Sequence, residues 1–230
     1  MSNPLNNLTT REWRIWIGSL AVVVASNLLS GDVDLLTMLA ACVGVTSLIF
    51  AAKGNVWAQI LMIVFSVLYG IISWKFRYWG EMITYLGMTM PMAIWSTITW
   101  IKNPSKGGKE VEIQYLEKKH IVGLVFFGVV TTAVFGWILY QLNTPNLLFS
   151  TTSVTTSFLA ASLTMLRSSY YALGYALNDI VLIVLWTLAS IENPVYIPVV
   201  VNFAIFFFND IYGFISWKKR ELVQKEMVSG

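Results

Sequence analysis

IWSTITWIK (residues 94–102) and IYGFISWKK (residues 211–219) are the two stretches on which the architecture turns. Laid over one another, starting at 94 and at 211, they set Trp95 against Tyr212 and Trp100 against Trp217, with lysine following each. Each closes a hydrophobic run, so the chain contains two blocks that end alike. The same offset places Tyr85 opposite Asn202 and Met92 opposite Asn209. A weaker match pairs GNVWA (54–58) with SSYYA (168–172).

The whole chain is apolar. Of its 230 residues 57% are hydrophobic and only 12% charged, and its mean hydropathy is +0.67; soluble domains carry roughly 25% charged residues. A helix needs about 20 mostly apolar residues to cross a bilayer. Eight such segments can be placed, over 13–30, 35–52, 55–74, 80–101, 120–141, 150–166, 169–189 and 194–217. The expectation is an all-α integral membrane protein with eight transmembrane helices and no soluble domain. The first segment follows Arg11 and Arg14 and has no small-residue cleavage site behind it, so it reads as a retained helix.

The polar stretch NPSKGGKEVEIQYLEKKH (103–120) separates the two blocks. Two three-helix blocks in the same orientation need an odd number of crossings between them, which the helix at 120–141 supplies. The expected plan is an N-terminal helix (1–34), a first bundle (35–101), a connector with linking helix (102–149), a second bundle (150–217) and a tail (218–230). Parallel repeats of this kind are a transporter architecture that holds substrate between the repeats near mid-bilayer.

Orientation follows from Lys and Arg in short loops. With a cytoplasmic N-terminus, all fifteen except Lys75 and Arg77 fall on the cytoplasmic side, Lys53, Lys109 and Arg167 among them, while Asp32, Asp34 and Glu192 fall opposite. Both termini are then cytoplasmic. The net charge of +3 reports topology, and nothing points to nucleic acid, whose readers gather basic residues on a soluble face. Cys42 stands alone, so no internal disulfide is possible. There is no GxxxxGK[ST], HExxH or cysteine cluster, and the single histidine, His120, lies at a membrane boundary. No catalytic residue, metal or cofactor is expected; transport or sensing remains.

Ionisable groups at mid-bilayer cost about 2.5–3.5 kcal/mol on insertion scales and usually face an interior cavity. Asp179, in YALNDIVLIVLW (175–186), and Asp210, in FFFNDIYGF (206–214), qualify, each behind an asparagine, Asn178 and Asn209. No Lys or Arg lies at mid-depth, so a cationic substrate is one partner for Asp179 and an interhelical hydrogen bond the other. Asp210, nearer the cytoplasmic interface, faces the pathway's inner end or is satisfied by water and Lys218. Tyr171, Tyr175, Asn178 and Asp179 share a helical face, a stripe suited to a flat polar ligand or to packing. Tyr69, Tyr85, Trp95 and Trp186 offer further aromatic faces, and Gln59, Ser66 and Asn202 further hydrogen bonds. Pro91 should kink or hinge its helix. Trp13, Trp16, Trp79, Trp100, Trp137 and Trp217, near segment ends, read as an interfacial belt.

These residues resemble the PnuC family of bacterial vitamin transporters across nearly the whole chain. The resemblance rests on LAACVGVTSLIFAAKGNVWAQ (39–59), MAIWSTITW (92–100), the asparagine of YALND (175–179) and NDIYGFISWKKRE (209–221). It is nearest to the nicotinamide riboside transporters, with relatives linked to thiamine, riboflavin and deoxynucleosides. It implies a SWEET-like arrangement of two three-helix bundles about a linking helix, a homotrimer in the bacterial inner membrane, and facilitated diffusion with trapping by an intracellular kinase. Family members carry an asparagine on the sixth core helix, here Asn178, and polar or aromatic residues on the third, near Tyr85 and Met88. Where relatives show glutamine close to Tyr85 and Tyr-Gly-Trp at 95–97, this chain has Trp95, Ser96 and Thr97. A set of Asp179, Asn178 and the tyrosines matches a pyridinium, a carboxamide and a ring, with Asp210, Asn209, Tyr212, Trp95 and Pro91 as gating or supporting residues. Thiamine, also cationic and aromatic, fits the same set. A receptor that binds without moving its ligand is the reading from another class.

Overall fold

The computed structural model describes residues 4–29, 34–106 and 110–229; Asp32 and Lys109 of the charge reading lie outside the described residues. All the long elements are helices, as apolar runs without water to hydrogen-bond their backbone require. They are α1 (Thr10–Leu29), α2 (Leu35–Ala52), α3 (Trp57–Lys75), α4 (Trp79–Thr84), α5 (Met90–Lys102), α6 (Lys118–Gln141), α7 (Leu147–Met165), α8 (Tyr171–Glu192) and α9 (Ile197–Ser229). Asp34 starts α2 by accepting from the Leu36 N–H and the Thr37 hydroxyl, an N-cap. At its other end the chain turns through Gly54 at φ +63°, a conformation that favours glycine.

Among the described residues six helical runs, α2, α3, α6, α7, α8 and α9, have the length and composition to cross a membrane. α1 has the length, but Arg11, Glu12 and Arg14 crowd its first turns. The fourth expected segment is a composite, with a π-turn over Tyr85–Thr89 between α4 and α5. Pro91 has no N–H to give the Gly87 carbonyl. The turn before it widens instead, and the Met90 N–H bonds to Tyr85 O. The expected proline kink is thus taken up as a π-turn ahead of the proline.

Within the first block α2 packs on α3 and α3 on α5; within the second α7 packs on α8 and α8 on α9. The blocks meet where α9 lies on α2 and α5 on α7. α1 fills the groove between α2 and α9. α6 packs mainly on α7 and leaves Val125, Phe126, Val129 and Trp137 exposed, a surface made for lipid.

Loop 53–56, the connector, the turn 166–170 and the last turns of α9 gather at one end. There Val111 bonds to Gly54, Gln114 to Arg167, and Arg220 pairs with Glu110. This is the end rich in Lys and Arg, called the basic end below. It is closed by Trp100 and Trp217, which are 1% and 0% exposed with rings 5.5 Å apart. Neither belongs to an interfacial belt. Trp100 donates to Thr164 O at 3.0 Å and Trp217 to Ala51 O at 2.7 Å. The residue before each does the same, Thr99 to Met165 O and Ser216 to Ala52 O. Each block's last helix therefore donates to carbonyls at the end of the other block's first helix. Trp16 also turns inward, donating to Thr46 Oγ1 at 3.1 Å. The opposite end carries the Lys75–Asp34 pair and a cluster of Phe76, Tyr78, Trp186 and Tyr196.

Candidate functional site

Between the two closed ends lie two small cavities. The inner one, nearer the basic end, holds about 30 Å³ and is lined by Gly44 and Leu48 of α2, Met62 and Phe65 of α3, and Tyr85 and Thr89 of the π-turn. Ser157 of α7, Tyr175, Asn178 and Asp179 of α8, and Phe203, Phe206 and Asp210 of α9 complete it. Every span of both blocks contributes, and α1 and α6 contribute nothing. The outer cavity, about 20 Å³, is lined by Tyr69, Trp186 and Asn202 among others. Phe65, Phe203 and Phe206 line both and divide them.

Spaces of this size hold a water molecule, which needs roughly 10–15 Å³, whereas small-molecule sites run to about 300–1,000 Å³. The structure is an occluded one. Joining the cavities requires the three phenylalanines to part; their rings contact edge to face at 5.6 Å and 5.8 Å.

The polar lining is under-satisfied. Asp179 is 4% exposed and its Oδ2 has no hydrogen-bond partner; Thr89 Oγ1 in the inner cavity and Asn202 Oδ1 in the outer are in the same position. Buried polar atoms without partners are uncommon and call for a reason. Asn178, by contrast, is held, its Oδ1 accepting from Thr156 Oγ1 at 2.7 Å and Ser157 Oγ at 3.0 Å. Its amide N–H groups remain as what it offers a ligand. Gly174 fixes the spacing behind it, since a Cβ there would lie 3.0 Å from Ala160 Cα. The lining has two carboxyls and no Lys or Arg, so it suits a cation or a neutral polar molecule.

Of the residues singled out from sequence, Tyr85, Tyr175, Asn178, Asp179 and Asp210 meet at the inner cavity, and Tyr69, Trp186 and Asn202 at the outer. Tyr171 turns away, stacking edge-on to Trp217 at 4.6 Å. Met88 packs with Leu139 and Val154. Ser66 donates to Met62 O within its own helix, and Gln59 is buried in the first turn of α3. Asn209 bonds to Ser19 of α1 at 2.9 Å and Tyr212 to Glu12 at 3.0 Å, so both tie α1 to α9. Trp95 is 58% exposed and Pro91 also faces outward; neither lines a cavity. Three features carried no sequence signal: the phenylalanine partition, the Thr156–Ser157 clamp, and Glu81. This last carboxyl is buried at the start of the fourth segment with Ser153 as a hydrogen-bond donor at 3.3 Å. Next to Trp79 it reads in sequence as an interfacial charge.

A membrane protein whose helical blocks surround a small cavity with buried polar side chains in its lining has the form of a small-molecule transporter. Its sequence says which kind. A family model described as nicotinamide mononucleotide transporter matches residues 34–219, and the chain belongs to that family, the PnuC transporters. A relative from Neisseria mucosa, the nicotinamide riboside transporter PnuC, is 27% identical over 190 residues, covering 80% of this chain and 72% of its own. The crystal structure of the vitamin B3 transporter PnuC is similar with a TM-score of 0.81 at 24% identity, covering 93% of this chain and 92% of that one, a likeness of fold.

Proposed function

We propose that the protein carries nicotinamide riboside across the bacterial inner membrane by alternating access, down the substrate's own gradient, with phosphorylation inside trapping what enters. The observation that carries this reading is the buried Asp179 Oδ2, without a hydrogen-bond partner, beside Asn178, Tyr175 and Tyr85 in a cavity that every span of both blocks lines. A pyridinium cation answers the carboxyl, a carboxamide answers Asn178, and the tyrosine faces take the ring. The lining favours the riboside over the mononucleotide, because a phosphate set among two carboxyls with no basic side chain would be buried unpaired.

Movement is proposed as rocking of residues 35–101 against 150–217. Helix α6 links them, α1 braces the groove, and the last turns of α9 extend into the cytoplasm with both termini on that side. The exchange of caps between Thr99–Trp100 and Ser216–Trp217 is consistent with a pseudo-twofold relation of the two blocks. The exposed face of α6 leaves room for lipid or for the homotrimer implied by the family resemblance.

The test is uptake of labelled nicotinamide riboside into liposomes holding the purified protein. Accumulation beyond one molecule per chain, down the gradient and competed by unlabelled riboside, is expected. Saturation at one per chain makes the protein a receptor, and uptake of thiamine, riboflavin or a deoxynucleoside in place of the riboside refutes the substrate.

A further inference from the structure

Two corners at the basic end are built alike, one from each block. The Gly54 N–H bonds to Ala51 O and the Asn55 N–H to Phe50 O; the Arg167 N–H bonds to Thr164 O and the Ser168 N–H to Leu163 O. Both follow the first helix of their block and close it with the same left-handed motif, at φ +63° for Gly54 and +55° for Arg167. Arg167 holds this conformation without being glycine. The carbonyls of the two corner residues are then taken by one short stretch of the connector. The Val111 N–H bonds to Gly54 O at 2.9 Å and the Gln114 N–H to Arg167 O at 3.1 Å.

That stretch has little length to give. Three residues span at most about 11 Å, and Val111 and Ile113 are buried with Glu112 exposed between them, the alternation of an extended strand. Both buried side chains enter the cluster that holds Trp100, Trp217 and Tyr171, so the strand also roofs the closed end. On the first block it is held by backbone, through the Pro104–Val111 bridge and the Glu112 N–H on Asn103 O. On the second it is held, apart from the Gln114 N–H, by side chains. Arg167 Nη2 donates to Gln114 Oε1 at 2.9 Å, Gln224 Oε1 accepts from the Ile113 N–H at 2.9 Å, Gln224 Nε2 donates to Val111 O at 3.3 Å, and Arg220 pairs with Glu110.

We propose that residues 111–114 are a strap that holds the basic end shut, and that Gln114, Arg167 and Gln224 form the latch that lets go before this end opens. The corners belong to different blocks, so rocking that parts them cannot proceed while a taut strand is fixed to both. Release falls on the second block, because on the first the strand is bonded into the end of α5 and travels with it. The proposal rests on the alternating-access reading and names the contact that reading must break on one side.

The experiment uses the full chain in liposomes with the Gln114→Cys/Arg167→Cys pair in a Cys42→Ala background. Oxidation, checked by loss of free thiols, should stop uptake of nicotinamide riboside, and reduction of the same sample should restore it. Where the bond does not form, a second variant decides: Gln114→Ala/Gln224→Ala, with a reporter cysteine at Leu48 in the inner cavity, labelled by a membrane-impermeant thiol reagent in sealed vesicles of each orientation. With three hydrogen bonds removed, labelling from the basic side should rise about tenfold or more, and labelling from the opposite side should not rise. Uptake that continues undiminished through the oxidised pair overturns the strap. So does a latch variant labelled at the unmodified rate, or one labelled faster from both sides alike. These results leave the transport reading intact, whereas a wild-type protein that takes up no riboside removes it and the strap together.

Discussion

Replacing Trp100 and Trp217 by phenylalanine keeps an aromatic ring in each socket and deletes only the indole N–H bonds to Thr164 O and Ala51 O. Both carbonyls keep a backbone partner, the Arg167 N–H at 3.0 Å and the Gly54 N–H at 2.8 Å, so neither is stranded. Each deletion then costs an ordinary net hydrogen bond, about 0.5–1.5 kcal/mol, or about 1–3 kcal/mol for the pair. If the bonds exist only while the basic end is shut, that sum goes into the closed-to-open equilibrium, an increase of about 5- to 150-fold in the open population. A reporter cysteine at Leu48, which lines the inner cavity, in a Cys42→Ala background, reads that population through a membrane-impermeant thiol reagent added from the basic side. Its labelling rate should rise by the same factor. An unchanged rate in a protein with unchanged melting temperature would show that the two tryptophans move together with both blocks and gate nothing.

Gly44→Ala places a methyl about where the Phe206 ring tip sits, a Cβ there lying 2.5 Å from Cζ. Phe206 is itself wedged between Phe65 and Phe203, so the overpacking should destabilise the occluded state by about 1–3 kcal/mol, seen as a lower melting temperature in detergent that Phe206→Leu restores. Glu12 lies just ahead of the first expected span. Burial pushes its carboxyl up, but the Thr9 hydrogen bonds and the Lys53 ammonium outweigh this and hold it below the usual carboxylate range. A lowered folded-state value means its contribution is full above the unfolded value of 4.5 and is lost as pH falls below it. Glu12→Gln should therefore flatten the acid limb of the melting-temperature profile, and an identical limb in both proteins would count against the tie. Trp95→Leu, on an exposed surface away from both cavities, should leave riboside uptake unchanged; a large loss would place Trp95 at a gate after all.

Composition and pattern were enough to show that this is a membrane protein, roughly where its helices run, and that two stretches around Trp100 and Trp217 correspond. Hydrophobic length and internal likeness are local properties, and a bilayer leaves the backbone few alternatives to helix. It also marked Asn178, Asp179 and Asp210, because polar groups in an apolar run stand out without any knowledge of their neighbours. Direction was not legible in the same way. Trp100 and Trp95 lie in one helix near one end, yet one is sealed between the blocks and the other is exposed, since only the crossing of α5 with α7 decides which side of the helix is inside. Tyr171 and Tyr175 likewise share a helical face in projection, and the approach of α9 sends one to Trp217 and the other to the cavity. Pairing was the tertiary structure's decision altogether: Phe206 against Gly44 and Asn178 between two hydroxyls are contacts between residues far apart in sequence, which no periodicity records.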